Sequence, residues 1–335
     1  MNRWYSQNGN NSDVVLASKI RLSRNLADVA FPCRMTDEQR KNCCKKIFAA
    51  IQNSELAGEF DLIELDKLSV LEKISLAEKG IISVQMAKQE RYGAVLVLKD
   101  ESVSIMLCED DHITLTAFAP GQDLKKAYSV ADRIDNVLIN SLKIAFNEKF
   151  GFLTSNPMSL GTGMKASLVL HLPAISENGM VPLLKNTITK LGFDVIRLYG
   201  ESGFYELSNN ITLGITEKSA IDNLNAICAQ ITKQERAARQ SLNGYDEYMD
   251  KLYRAMGTLK MARQLSAKEF YSLISLVRLG VSLHVFDDND VNEYEVIGEL
   301  MHRLGTATII SEAKNKLTAD EANRLRAQYV RERLG

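Results

Sequence analysis

The chain has 335 residues, 45% of them apolar and 25% charged, with 41 Lys+Arg against 42 Asp+Glu and a net charge of −1. This is the mix of a soluble globular protein with room for about two domains and a core that needs no staples. The near balance of charge excludes a general electrostatic attraction to nucleic acid or to an anionic membrane, so any anion site must be built locally.

No run approaches the roughly 18 uninterrupted apolar residues of a membrane span, and the polar start MNRWYSQNGNNSD is expected not to be a signal peptide. The five cysteines (Cys33, Cys43, Cys44, Cys108 and Cys228) have no metal-ligand spacing and are expected to be reduced thiols of a cytoplasmic protein.

Taken in chain order, VVLASKIRL (Val14 to Leu22) predicts a strand running into a basic loop, and Thr36 to Asn53 a helix that uses Cys43-Cys44 for packing. Ala94 to Leu98, Val103 to Leu107 and Ile113 to Phe118 predict a β-meander. Between its last two strands lies the run Cys108-Glu109-Asp110-Asp111-His112, an unusual density of carboxylate for a tight connection. Gln122 to Phe150 has the three-and-four spacing of a long amphipathic helix. A Gly/Ser/Thr-rich loop then leads through Lys165 into an apolar strand, Leu168 to Leu172. A helix over Glu177 to Leu191 follows, then short strands at Val195 to Tyr199, Phe204 to Leu207 and Ile211 to Leu213, and a helix over Glu217 to Ser241.

Beyond about Asn243 the strand signal fades, and Tyr245 to Leu265, Ser266 to Leu279, Asp290 to Leu304 and Thr318 to Leu334 predict helices. Ser266 and Glu269 have the spacing of a capping box. The expected organisation is a mixed α/β (α+β) region over residues 1–243 and an all-α region over 244–335, with the boundary near Gly244.

Three constellations can carry chemistry. Lys19 and Arg21 alternate in a strand and therefore share a face. Two cations there are costly to bury alone, so they form either a solvated edge or a pair of grips on polyphosphate oxygens. The loop LGTGMK loosely has the make-up of a phosphate cradle but lacks the Walker spacing. The acidic run can bind a metal, orient a cationic substrate, or be a solvated turn.

The joint order of motifs narrows these alternatives. SKIR after a strand, EDDH after a strand, LTSNP, GTGMK, RLYGE and SNNITLG follow one another in this chain. The series resembles the guanidino (phosphagen) kinase family, whose runs are S-S/T-R-x-R, NEEDH, LT-x-CP-x-N-x-GTG-x-R, RG-x-x-GE and I/V-SN-x-x-x-LG. The stretches Arg239 to Val281 and Leu317 to Leu334 resemble the helical C-terminal domain of the bacterial branch, the protein-arginine kinases.

The resemblance implies an antiparallel-sheet catalytic domain flanked by helices. It implies ATP as phosphoryl donor, with Mg2+ bound through the nucleotide phosphates, and protein substrates with exposed arginine. It further implies a homodimer and no nucleic acid or membrane partner. Carried over residue by residue, it assigns Ala17, Ser18, Lys19, Ile20 and Arg21, then Lys165, Ala166, Ser167, Leu168 and Val169, then Arg197, Leu198, Tyr199, Gly200 and Glu201 to the nucleotide. Asp110 and Glu109 take the catalytic carboxylate positions.

The departures cluster at the chemistry. Lys19 and Lys165 stand where the family has Arg, keeping charge but losing the bidentate fork. Asp110 is one methylene shorter than glutamate, Thr114 replaces a phosphate-binding Arg, and Asn156 replaces a reactive cysteine. The loop after Glu201 is shortened, removing a substrate-holding acid that only Glu206 stands near. Of the RDxxRA motif that binds phosphoarginine, ANRLRA (Ala322 to Ala327) keeps the second half. The expectation is an ATP:guanidino phosphotransferase; the alternative is a degenerate pseudokinase with a nucleotide-binding or regulatory role.

Overall fold

The computed structural model describes residues 3–242, 246–286, 293–313 and 317–335. The boundary expected near Gly244 falls outside the described residues.

A short 3-10 turn (Trp4–Ser6) precedes β1 (Val15–Arg24) and α1 (Asp37–Gln52). Then come β2 (Phe60–Glu64), α2 (Val70–Glu78), α3 (Val84–Lys88), and the meander β3 (Ala94–Leu98), β4 (Val103–Leu107) and β5 (Ile113–Pro120). Helix α4 (Leu124–Ser141) leads to a small hairpin, β6 (Phe146–Asn147) and β7 (Gly151–Phe152), and on to β8 (Met164–His171). Helices α5 (Pro173–Glu177) and α6 (Val181–Thr189), strands β9 (Phe193–Arg197) and β10 (Phe204–Asn209), and the long α7 (Glu217–Leu242) follow. The further elements among the described residues are helices: α8 (Asp246–Met261), α9 (Ala267–Ser282), α10 (Glu293–Arg303), α11 (Thr306–Glu312) and α12 (Ala319–Leu334).

Helix starts are written locally. Thr36, Ser69 and Thr318 each accept from the backbone N–H three residues on, and Gln39, Glu72 and Glu321 reach back to the cap, which satisfies donors a helix end otherwise leaves orphaned. Ser266 caps α9 by accepting from the Glu269 N–H at 3.2 Å.

Eight strands form one antiparallel sheet in the order β2-β3-β4-β5-β1-β8-β10-β9. One face is apolar: Ile20, Leu22, Leu115, Ala166, Leu168, Leu170 and Leu207 are at most 1% exposed and share a core with α1, α4 and α7. Side chains on a strand alternate between faces, so the residues between these point the other way. That second face is covered only in part, by the α2–α3 segment over β3 and β4 and by the C-terminal helices around Phe204.

The helical region is tied down at several places. Glu78 of α2 accepts from the Ala307 and Thr308 N–H groups at the start of α11, at 3.1 and 2.8 Å. Trp4 stacks on Phe118 at 4.7 Å and Tyr5 on His302 of α10 at 3.8 Å. A Cβ at Gly298 would lie 2.2 Å from the Tyr5 carbonyl oxygen, so glycine is what lets α10 approach there. Buried His171 meets Ser275 Oγ of α9 through Nε2 at 2.9 Å, and Arg239 donates to the His171 carbonyl at 2.8 Å and to Glu235 at 2.7 Å.

The structure adds β2, the β6–β7 hairpin, α2, α3 and α11 to the expected elements, and three of the expected ones differ. The helix expected to run to Phe150 stops at Ser141, because the chain then pairs its backbone with residues 25–27: the Ala27 N–H donates to Lys143 at 2.8 Å and the Ala145 N–H to Asn25 at 2.7 Å. The helix expected over 177–191 is split into α5 and α6 around Gly179, whose φ of 66° breaks the helical path. The Ile211 to Leu213 segment is not a strand. Thr212 Oγ1 bonds the Met158 and Leu160 carbonyls instead, at 2.8 and 2.6 Å.

Candidate active site

The floor of the site follows from strand register. Lys19 lies opposite Ser167 and Arg21 opposite Lys165 across β1 and β8, and Val169 lies opposite Glu206 across β8 and β10. Alternation puts Ala17, Lys19, Arg21, Lys165, Ser167, Val169 and Glu206 on the face away from the apolar core. Above them opens a cleft of about 590 Å3, walled on one side by the α2–α3 connection and on the other by α9 and α10.

Charge inside this cleft is concentrated and mixed. Lys19 Nζ sits 2.6 Å from Glu206 Oε1. Burial alone would raise the Glu206 carboxyl, but the Lys19 contact and the charge of Lys165 overcome it and hold it below the usual range. Burial lowers the Lys165 ammonium, with Arg21 and Lys19 adding repulsion against the pull of Glu206. Three cations around one carboxylate leave a positive surplus in a protein whose net charge is −1.

The acidic bend divides into anchors and free groups. Asp111 is buried and accepts from Asn25 Nδ2 at 2.6 Å and from the Ser155 N–H at 2.7 Å. His112 is fixed through both ring nitrogens, accepting at Nδ1 from the Leu26 N–H at 3.2 Å and meeting the Ala30 carbonyl through Nε2 at 2.9 Å. These two residues hold the bend, which opens at Cys108 with a φ of 59°.

Glu109 is 8% exposed and accepts from Ser83 Oγ. Burial lifts its carboxyl above the ordinary value, opposed by Ser83 and by the charge of Arg21, with Asp110 and Asp111 adding to the rise. Ser83, its partner, lines the cleft, whereas Glu109 and Asp110 are not among the lining residues. Asp110 is exposed and accepts from Gln85 Nε2 at 2.8 Å, and Ser155 Oγ donates to its carbonyl at 2.5 Å. That last bond brings the loop carrying Asn156 to the same bend.

The expected site residues do not all come together. Ala17, Lys19, Arg21, Val169, Leu198 and Tyr199 line the cleft, and Lys165 and Ser167 share its face by register. Ser18, Ile20, Ala166 and Leu168 point the opposite way: Ser18 Oγ bonds the Gly121 carbonyl at 2.8 Å, and the other three are core. Only their backbone belongs to the floor.

Arg197 is also on the far face. It lies opposite Tyr205, and its Nη2 donates to Tyr205 Oη at 2.7 Å and to Ser176 Oγ at 3.2 Å. The short loop from Leu198 to Phe204, closed by the Leu198 N–H to Phe204 carbonyl bond at 2.8 Å, fixes this register and turns the guanidinium away from Lys19. Gly200 and Glu201 lie on that exposed loop, with Glu201 3.5 Å from Lys268.

The sequence reading did not place three residues that shape the site: Ser83, Arg278 and, as a partner of lysine, Glu206. Glu206 was legible as the polar member of an alternating strand, FYELSN. Arg278 stands out as a lone cation in an apolar helix, SLISLVRLG. Ser83 offered no signal, because its role depends on where α3 folds. Among the described residues no group of three or more His, Cys, Asp or Glu is placed to hold a metal ion, and no helix is long and apolar enough to cross a membrane.

Residues 42–238 match the ATP:guanido phosphotransferase C-terminal catalytic domain, and residues 246–335 match the protein-arginine kinase McsB C-terminal domain. The chain is 37% identical to a protein-arginine kinase of Pelotomaculum thermopropionicum, over 98% of this chain and 94% of that protein. It is 34% identical to one of Clostridium tetani, over 100% and 99%. Among solved structures it is similar in fold to the duplicated taurocyamine kinase of Schistosoma mansoni, at a TM-score of 0.63 and 22% identity, covering 84% of this chain and 40% of that one. On these matches, this chain belongs to the ATP:guanido phosphotransferases, in their protein-arginine kinase branch.

Proposed function

We propose that this chain transfers the γ-phosphoryl group of ATP to arginine side chains of proteins. The observation that carries the reading is the convergence of Lys19, Arg21 and Lys165, from two strands far apart in sequence, on one cleft face. Phosphoryl transfer asks little of a protein beyond positioning and neutralisation of the polyphosphate, and this face supplies both. Lys19, Arg21 and Lys165 hold the triphosphate, with Lys19 exchanging Glu206 for a phosphate oxygen. Magnesium arrives with the nucleotide as part of the substrate, carried mainly on phosphate oxygens. Glu109 and Asp110 receive the guanidinium of the target arginine. Glu109, with its raised pKa, is the group suited to take a proton from it.

Two further expectations belong to this reading: a homodimer formed through the helical region, and a reducing cytoplasm in which the five free cysteines stay thiols. Light scattering that returned one chain per particle would remove the first.

Incubation of the protein with labelled MgATP and an arginine-rich acceptor protein tests the function. Acid-labile label on the acceptor is expected. Nucleotide binding without any transfer would identify a degenerate pseudokinase instead.

A further inference from the structure

The helical C-terminal region does more than abut the cleft. Arg278 of α9 lines it while being only 2% exposed. Its Nη2 donates to the Ser12 carbonyl, its guanidinium carbon lies 4.6 Å from the centroid of the Tyr294 ring, and its buried Nε has no hydrogen-bond partner among the described residues. Among the described residues, the carboxylate that bears on it electrostatically, Asp13, is engaged by Arg236 at 2.6 Å, and the charge of Arg239 opposes it. A buried guanidinium in that setting is costly unless something in the cleft answers it.

Position says what that something is. Ser12 belongs to the turn that leads into β1, and β1 then runs from Val15 past Ala17 to Lys19 and Arg21. At ~3.3 Å per residue, Val15 and Lys19 are roughly 13 Å apart along the strand. The cations of the proposed triphosphate site are therefore at one end of the cleft and Arg278 at the other. Between them the lining turns less polar, with Ala17, Val169, Leu198 and Tyr199. A nucleotide whose phosphates lie on Lys19 and Arg21 puts its nucleoside along this stretch, with its hydrogen-bond acceptors toward Arg278.

We propose that Arg278 is a nucleoside-recognition residue, so that the C-terminal helical region completes the nucleotide site instead of serving only as an appendage. The inference rests on the nucleotide reading of the cleft and adds to it the residue that distinguishes a nucleoside triphosphate from bare triphosphate.

The test is calorimetric titration of the full chain with two probes, MgATP and magnesium tripolyphosphate, on wild type, Arg278→Met and Arg278→Lys. The melting temperature of each unliganded variant is recorded alongside. Wild type is expected to bind both probes, MgATP the more tightly. Arg278→Met should weaken MgATP by ~10-fold or more, the loss of a charge-assisted hydrogen bond, and leave tripolyphosphate within about twofold. If Arg278→Met does not fold, Arg278→Lys is read alone, with a loss of several-fold for MgATP expected. A folded variant with unchanged MgATP affinity overturns the inference, and so does an equal loss for both probes. Wild type binding tripolyphosphate as tightly as MgATP overturns it while sparing the anion site. Wild type binding neither probe overturns the nucleotide reading and this inference with it.

Discussion

The two faces of β1, β8 and β10 are made by the same strands yet serve opposite ends. On the helix side, Ile20, Leu22, Ala166, Leu168 and Leu207 are sealed beneath α4 and α7. One residue along each strand, Lys19, Arg21, Lys165 and Glu206 face the cleft. Burial of apolar area makes the first face the source of stability. The second face costs stability, because its charges are half-withdrawn from water and compensate one another only in part. A sheet that tolerates this arrangement places its positive surplus where an anion can answer it. The lesson is that strand parity, more than motif membership, decides which residue of SKIR or KASLV can touch a ligand.

That contrast can be broken from either side. Leu168→Ala removes a fully buried side chain from the apolar face and should cost roughly 2–5 kcal/mol of unfolding free energy. A folded Leu168→Ala protein should keep its nucleotide affinity; a denaturant melt and a titration read the two effects separately. On the cleft face, Glu206→Gln removes the carboxylate that occupies Lys19. Nucleotide binding should tighten by several-fold because the cation no longer has to be freed, and a weakening in the same titration would count against the assigned face.

A smaller effect is the acid sensitivity that the buried histidines confer. His171 is buried beside Arg239 and Arg278, and burial followed by those charges pushes its pKa well below the ordinary value; burial does the same, less strongly, for His112 and His302. The unfolded chain takes up these protons near pH 6.5 and the folded chain does not. Stability should therefore be complete above that pH and decline as pH falls toward 5. Melting temperatures across pH 5 to 7.5 check the sign, and a flat profile would show that the histidines protonate freely in the fold.

Much of this organisation was legible beforehand. The meander of β3, β4 and β5, helices α1 and α7 and the helical tail follow from period and capping signals that are local. The elements that were missed, β2, the β6–β7 hairpin, α2, α3 and α11, are short, and their stability comes from pairing with neighbours and from contacts such as Glu78 with the Thr308 N–H. The limit at Ser141 and the split at Gly179 came from tertiary pairing and a single left-handed residue, which a periodic pattern does not report. In the site, the alternation of Lys19 and Arg21 was readable and places them on the same face of the sheet. The family motif that groups Arg197 with them does not carry register, and the loop shortened after Glu201 sets that register.

The proposed triphosphate site is the face bearing Lys19, Arg21 and Lys165, not the face bearing Arg197. Titration of MgATP into Arg21→Ala and Arg197→Ala tests it most directly. A loss of ~10-fold or more is expected for Arg21→Ala, from the removal of a charge-assisted contact, and a change within about twofold for Arg197→Ala. Equal losses from the two variants, or a loss confined to Arg197→Ala, would contradict it.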